Sequence, residues 1–589
     1  GGWPLTVFLL PDLQPFYAGT YYPPEDRFGR PGYRRVLLAG GEAYRSRRAD
    51  VDRRAAELTR AIATVTTASG DPCEPPPVAA RRAARAALRR YDDRHGGFGD
   101  RPKFPSTMTV EALLRAHLRG EPEMLQRVRQ TLDGMRQGGI HDQLGGGFHR
   151  YSTDERWLVP HFERMLYDNA LLARLYVDGW RATGDEAYRE TARGVLAYVE
   201  REMRSPEGLF YSSQDADSDG REGAFFVWRP EELVEVLGED DARVAALAFG
   251  VSEGGNFVDP HSGEEGASVL HVNRPLSAVA AQLGRPLEEV EARFGRARRA
   301  LFEAREARPK PFRDEKVIAT WNGLMIGAFA LAGGAFGDAG LVATARHALD
   351  AVRARLWADG GLRRLAKDGE AKGDAFLEDY ADLAGAALDV QQATLAPAPL
   401  AFARALVDAA LARFWDEAEG LFYFTARGAQ DVVVRAADAS DNAVPSGTSS
   451  MAHALLRLHA LTGEDAYRRV AETVLRRYAA AAVEHPLGHG HLVAALDRYV
   501  HGPVEVVVVA ADDDPAGDAL AAAARGGAYV PDLVLARLAP GADENDGAVG
   551  RALEGRRQVE GRATAYVCRG MTCSAPVTGV DALRALLVA

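Results

Sequence analysis

Cysteine is scarce: Cys73, Cys568 and Cys573 are the only three in 589 residues. So few thiols exclude a disulfide-built secreted scaffold and suit a reducing compartment, so a cytoplasmic setting is expected. Lysine is confined to Lys103, Lys310, Lys316, Lys367 and Lys372, which leaves few groups for Schiff-base chemistry. Apolar runs fall short of the ~18 residues of a membrane span: residues 324–336 are interrupted by glycines and 504–511 contain Glu505. A soluble protein without a membrane partner is expected. The net charge is −12, and the basic side chains are spread along helices without forming a dense block, which argues against nucleic acid as a partner. The sequence has no HExxH and no paired Cys/His spacing, so no metal and no other cofactor is expected. It opens Gly1-Gly2-Trp3 with no basic-then-apolar leader, and an upstream segment is expected to be missing.

What is present is an ordinary globular composition, 47% hydrophobic and 26% charged, over a length that calls for several domains. Residues 1–70 begin with a buried strand, Leu5-Thr6-Val7-Phe8-Leu9-Leu10, then a Pro11-Asp12 turn and a second strand reaching Tyr17, followed by an amphipathic helix over about 33–63. The proline-rich run 71–77 reads as a linker. Between 78 and 500 the chain repeats a grammar: an apolar helix, a Gly-Asp or Gly-Glu turn, an amphipathic helix, and a glycine-plus-aromatic return such as Gly208-Leu209-Phe210 or Leu421-Phe422-Tyr423. Apolar helices are expected near 107–118, 161–182, 231–248, 321–336, 377–394 and 447–461. Six such hairpins would close into a toroid that buries each inner helix on all sides; an open superhelical stack is the alternative. Residues 501–589 alternate strand and helix, with strands at 504–510, 528–530, 532–535 and 563–568, as in a small α/β unit.

Gly1-Gly2-Trp3-Pro4-Leu5, Gly19-Thr20-Tyr21-Tyr22-Pro23-Pro24, the string from His161 to Asn169, and Asp441-Asn442-Ala443-Val444-Pro445-Ser446-Gly447 resemble the spermatogenesis-associated, thioredoxin-domain-containing family across essentially the whole chain. The resemblance implies a thioredoxin-like domain, an (α/α)6 barrel similar to six-hairpin glycosidases and N-acylglucosamine 2-epimerases, and a C-terminal α/β part. The fold class expected is therefore mainly α: a six-hairpin toroid with a partial thioredoxin-like segment before it and a small α/β region after it. Family members carry a Cys-x-x-Cys upstream of the residue that is Gly1 here. This sequence lacks it, and Pro4 matches the cis-proline site that normally faces that redox pair. Dithiol exchange cannot be assigned to such a partial segment.

In a toroid the N-termini of the inner helices converge on one mouth, so polar residues there would share a pocket. The richest cluster is Gly145-Gly146-Gly147 leading to His149, Arg150 and Tyr151, then Trp157, His161, Glu163, Arg164 and Asp168, with His161, Arg164 and Asp168 at the spacing of one helix stripe. An Arg164–Asp168 intrahelical ion pair is the plainer reading of it. Asp215 and Asp217 belong to an acidic loop whose twelfth position is Phe226, which rules out an EF-hand; a solvated loop is the alternative to a pocket-mouth role. Glu378, Asp379 and Asp382 open an inner helix, where the dipole alone favours acids, but Glu378 and Asp382 repel each other and would raise a pKa if buried together. Trp321, Asn322, Asp441 and Asn442 suit a sugar-binding wall. The expected catalytic groups are His161, Glu163, Asp168, Asp215, Glu378 and Asp379. The expected substrate contacts are His149, Arg150, Tyr151, Trp157, Asp217, Trp321, Asn322, Asp382, Asp441 and Asn442. The function expected is acid/base chemistry on a small-molecule ligand such as a sugar, of epimerase or isomerase type or glycosidase type. A redox-linked or binding protein with a non-catalytic barrel is the other reading. Cys568 and Cys573, with four residues between them, read as a buried or occasionally oxidised pair, or as a resolving dithiol.

Overall fold

The computed structural model describes residues 5–27, 29–66, 71–260, 262–429, 432–541, 556–570 and 572–588. Pro4 lies outside them. From residue 5 to residue 66 the described chain forms an antiparallel hairpin, Thr6–Leu9 with Pro15–Gly19, backed by two helices, Tyr33–Ser46 and Arg48–Thr66, where the periodicity read as one. Leu10, Phe16, Val51 and Ala55 make its small core.

Six helices pack side by side in a closed circle: Thr107–Leu118, Leu166–Thr183, Ala319–Phe336, Leu377–Thr394, Gly447–Thr462 and Gly490–His501, with the sixth meeting the first. The first five are each followed by an amphipathic outer helix. The outer partner of the sixth comes from the other end of the domain. Ala79–Ala87 buries Ala79, Ala80, Ala83, Ala84 and Ala87 and packs on both the first and the sixth inner helices, so the ring closes by joining its two chain ends. Ala319–Phe336 is long and apolar enough to cross a membrane by length and composition; here it is the third inner helix, with its neighbours replacing lipid.

The ring corrects one expected inner helix. Pro230–Phe249 kinks at Gly238, φ 72°, and packs with Leu276–Leu283 and Leu287–Glu306 in an excursion beside the toroid. Gly490–His501 takes its place in the circle, and its His491, Asp497 and Arg498 disguised it as a surface helix.

Glycine sets the distance between inner helices. A Cβ on Gly323 would stand 2.8 Å from the carbonyl carbon of Asp382, one on Gly447 2.7 Å from the Glu378 nitrogen, and one on Gly490 2.5 Å from the Met108 carbonyl carbon. Each contact joins the N-terminal part of one inner helix to that of the next, so these helices run parallel and open at one mouth. The returns between outer and inner helices repeat a single bridge: Tyr91 to Phe98, His141 to Phe148, Arg204 to Phe210, Trp357 to Leu362, and Trp415 to Phe422. Asn169 and Asn322, at equivalent places in the second and third inner helices, each accept from and donate to the backbone of that aromatic, Phe148 and Phe210 respectively.

The C-terminal unit is a four-stranded sheet in the order Leu533–Leu538, Val504–Val509, Thr564–Arg569, Thr572–Cys573; its first pair is parallel and the others antiparallel. Helices Pro515–Gly526 and Val580–Val588 accompany it. Residues 528–530 are not a strand. They belong to a loop that enters the C-terminal end of the toroid, where Arg181 donates to the Ala528 carbonyl at 3.0 Å.

Gly323→Ala should cost about 1–3 kcal/mol by overpacking. Gly385→Ala, whose Cβ meets nothing within 4 Å, should gain ~0.5–1 kcal/mol of helix propensity. Urea unfolding of the two proteins compares them, and equal changes would remove glycine spacing as the determinant of the ring.

Candidate active site in the toroid lumen

The inner helices are not apolar all round. Five of them carry one polar stripe at helical spacing: Glu111 and Arg115; Arg174, Asp178 and Arg181; Asp382 and Asp389; Ser450, His453 and Arg457; His491 and Arg498. The third contributes Gly323, Leu324, Gly327 and Leu331. Together they line a cavity of about 170 Å³ on the ring axis. A residue at i and i+3, i+4 or i+7 faces the same way, so one stripe per helix is what a lumen requires.

The deep end is closed by the C-terminal unit. Asp532 accepts from Arg115 at 2.9 Å and pairs with Arg498 at 3.1 Å, while Asp497 pairs with Arg119 at 3.0 Å. Midway, Asp389 pairs with Arg174 at 2.5 Å and Arg457 at 2.8 Å. Towards the mouth, His491 Nδ1 lies 3.5 Å from Glu111, and the His453 and His491 rings face each other at 4.2 Å, with His453 Nε2 3.0 Å from the His491 carbonyl. Asp382 accepts a short hydrogen bond from the Thr320 hydroxyl. The Ser450 hydroxyl, buried beside it, also acts on Asp382 as a hydrogen-bond donor.

Burial acts on both carboxyls with different outcomes. It pushes Asp382 up to about 7, and the charge of Glu378 adds to the rise. The repulsion expected from their i, i+4 spacing is therefore present. Burial opposes the charge of Glu111 too, but the hydrogen bond with His491 and the charges of Arg115 and His491 hold it down at about 2. His453 is kept neutral, its pKa well below the ordinary value, chiefly by burial. One cavity thus holds a carboxyl that titrates around neutral pH and a carboxylate that stays ionised there, the separation of roles that acid/base catalysis uses.

Of the residues expected from sequence, only Asp382 lines this cavity. Arg150, Tyr151, His161, Glu163, Asp168 and Trp321 gather at the start of the second and third inner helices. Arg150 donates to Glu163 at 2.8 Å, His161 pairs with Glu222 at 2.7 Å and stacks on Tyr151, and Tyr167 joins Trp321 edge-on at 4.8 Å. The hydrogen bond to Glu222 raises the His161 pKa. Burial raises that of Asp168, whose Oδ2 is unpartnered among the described residues. The single helix stripe is corrected: His161 and Arg164 lie in short strands and the helix begins at Leu166. Arg164 pairs with Asp142 at 3.4 Å and stacks on Tyr198, so the intrahelical pair with Asp168 does not form.

The remaining expected residues lie apart. Glu378 and Asp379 both accept from Arg364, at 2.6 and 2.8 Å, and burial pushes Asp379 up to about 6. His149 is buried among Phe162 and Phe226, which lowers its pKa to about 3, and Trp157 is fully buried with its indole N–H on the His95 carbonyl. Asn322 is the backbone clamp already described. Asp441 accepts from the Ser446 and His491 backbone and from the Ser449 hydroxyl, fastening the starts of the fifth and sixth inner helices. Asn442, Asp215 and Asp217 are exposed. The sequence reading missed Glu111, His453 and His491, and the signal that could have found them is a charged or imidazole side chain recurring at helical spacing inside an otherwise apolar helix.

A carboxyl held near 7 against 3.8 in the unfolded chain favours the fold only while protonated. Its contribution is complete below about pH 4 and is lost as pH rises through 7, on the order of 1.4 kcal/mol for each pH interval between the two values. Asp382→Asn should therefore flatten the decline in stability between pH 5 and 8, read from thermal melts; a parallel shift at every pH would place the ionisation elsewhere.

Known proteins resemble the chain at two levels. Residues 1–63 match the Thioredox_DsbH family, described as a protein of unknown function, DUF255. The fold is similar to that of cellobiose 2-epimerase from Spirochaeta thermophila, at 13% identity and TM-score 0.45 over 72% of this chain and 96% of that one. It is also similar to the unsaturated glucuronyl hydrolase of Bacillus sp. GL1, at 13% identity and TM-score 0.41 over 71% and 94%. An uncharacterised Caenorhabditis elegans protein is 29% identical over 100% of this chain and 83% of its own length. The human spermatogenesis-associated protein 20 is 34% identical over 100% of this chain and 79% of its own length, and the chain belongs to the spermatogenesis-associated protein 20 family.

Proposed function

We propose that the lumen is the active site of a carbohydrate-active enzyme working by general acid/base chemistry. The observation that carries this reading is the pair Asp382 and Glu111, one pushed up to about 7 and the other held at about 2, lining the same cavity and both within electrostatic reach of His491. In this reading Asp382 donates a proton to the substrate and Glu111, with His491, accepts one or steadies developing positive charge. Ser450 and Gly385, Gly327 and Gly323 leave a small polar wall that suits a hydroxylated ring held by hydrogen bonds without aromatic stacking. Proton abstraction beside a carbonyl would give epimerisation, and attack of water at an anomeric carbon would give hydrolysis. The cluster of Arg150, Tyr151, His161, Glu163, Asp168 and Trp321 would guide substrate at the mouth. The scarcity of cysteine supports a reducing, cytoplasmic setting for this activity.

A panel of mono- and disaccharides, read first by thermal shift and then by product analysis in deuterated water, tests the reading. Epimerisation would incorporate solvent deuterium at carbon, and hydrolysis would release a reducing end. Asp382→Asn and Glu111→Gln should each lower turnover about 10²–10⁴-fold while substrate still shifts the melting temperature, and turnover should fall as pH rises above about 7, where Asp382 loses its proton. A silent panel, or full activity in both variants, would sink it.

A further inference from the structure

We propose that Cys568 and Cys573 form a second reactive site, separate from the lumen, that exchanges disulfides with small acidic thiols. The two residues face each other across adjacent strands and are joined as a disulfide. Cys568 is buried and Cys573 exposed, so the pair has one sulfur open to attack and one shielded leaving group. Both line a cavity of about 740 Å³ between the C-terminal sheet and the fifth and sixth inner helices. Arg468 and Arg556 give the cavity wall its basic character, the imidazoles of His459 and His501 line it as well, and Glu505 is the acid among the described lining residues. Arg556 Nη2 stands 3.2 Å from Cys568 Sγ and 3.8 Å from Cys573 Sγ, with Glu505 4.0 Å away.

A staple alone does not need this setting. A disulfide spanning four residues restrains little chain compared with one closing a long loop, and the strand hydrogen bonds already hold the hairpin. A guanidinium against sulfur instead stabilises a thiolate, as cationic neighbours do for reactive cysteines. The cycle balances with two thiols. A thiolate from the small acidic thiol attacks Cys573 Sγ, the Cys568–Cys573 bond breaks, and Cys568 leaves as a thiolate beside Arg556. A second thiolate attacks the small-molecule sulfur of the mixed disulfide and releases Cys573 thiolate and the symmetrical small disulfide. Two electrons pass from the two thiols to the pair, and the reverse reaction with that small disulfide reoxidises it. The basic wall is what would favour a thiol carrying carboxylates.

Reduced glutathione serves as the acidic probe and cysteamine as a cationic one, on the full chain with Cys73→Ser so that only the pair titrates. Alkylation of released thiols followed by mass spectrometry should show glutathione reducing the native protein at least tenfold faster than cysteamine at equal thiolate concentration. Arg556→Gln should remove most of that preference. In Cys568→Ser, oxidised glutathione should form an adduct on Cys573 faster than it does on Cys568 in Cys573→Ser. Reduction only after unfolding in urea, or equal rates with both thiols, would overturn the proposal. Asp382→Asn should leave these rates unchanged, so failure here and failure of the lumen reading are distinguishable.

Discussion

The ring rests on backbone approach. Where Gly323, Gly447 and Gly490 meet the neighbouring helix at 2.5–2.8 Å from where a Cβ would be, six parallel helices close tightly around an axial space. That space is lined in part by apolar side chains such as Leu171, Leu175 and Leu331. Much of the rest of its lining is charged, and buried charge demands partners. Asp389 between Arg174 and Arg457, and Asp532 among Arg115 and Arg498, are the consequence. The C-terminal unit is in this sense part of the ring, since its loop supplies a carboxylate that Arg115 shares with Asp497 and that Arg498 pairs with at 3.1 Å.

The same constraint produces the chemistry. Burial raises the cost of charge on each lumen carboxyl, and its partners set how far that cost prevails; Asp178, near Arg181 and Arg174, is still pushed up to about 6. Asp389 has two guanidinium groups and stays below the ordinary carboxylate range. Glu111 has Arg115 and His491 and is also held ionised. Asp382 has only hydroxyl donors, Ser450 and Thr320, and a neighbouring acid, so burial prevails. A pair of unlike carboxyls arises without either residue being unusual, from where the cations fall on adjacent stripes.

Much of the architecture was legible because it rests on short-range grammar. The glycine-aromatic return appears in the sequence at four of the five places where the backbone makes the same bridge, with Gly361-Leu362 at the other, and the strands at 504–510, 532–535 and 563–568 announce themselves by β-branched runs. The missed inner helix shows where such reading stops. Gly490–His501 looks like a surface helix because its polar residues face a lumen that exists only once the other five helices are in place, while Pro230–Phe249 looks internal because it is apolar and packs on its own satellite core. The site failed for a related reason. Trp157, His149 and Asn322 are residue types that line sugar pockets and equally plug cores or clamp loops, and nothing local distinguishes the two uses. Glu111, His453 and His491 carry no motif; their only mark is a phase relation within a helix, and that phase has meaning only relative to the ring axis.

Lumen and cleft are two sides of one wall. Arg457 and Arg498 line both cavities, but their charge is already committed on the lumen side, to Asp389 at 2.8 Å and Asp532 at 3.1 Å. Among the described residues on the cleft, Arg468 reaches over the Tyr499 ring at 6.0 Å, and Arg556 lies against the sulfurs with Glu505 4.0 Å away. An acidic molecule entering the cleft would therefore meet one arginine at the disulfide and a second on the outer helix Asp465–Glu484. Separate charge compensation lets the two cavities share helices without sharing ionisation, so that a proton moving in the lumen does not have to alter the sulfur chemistry behind it.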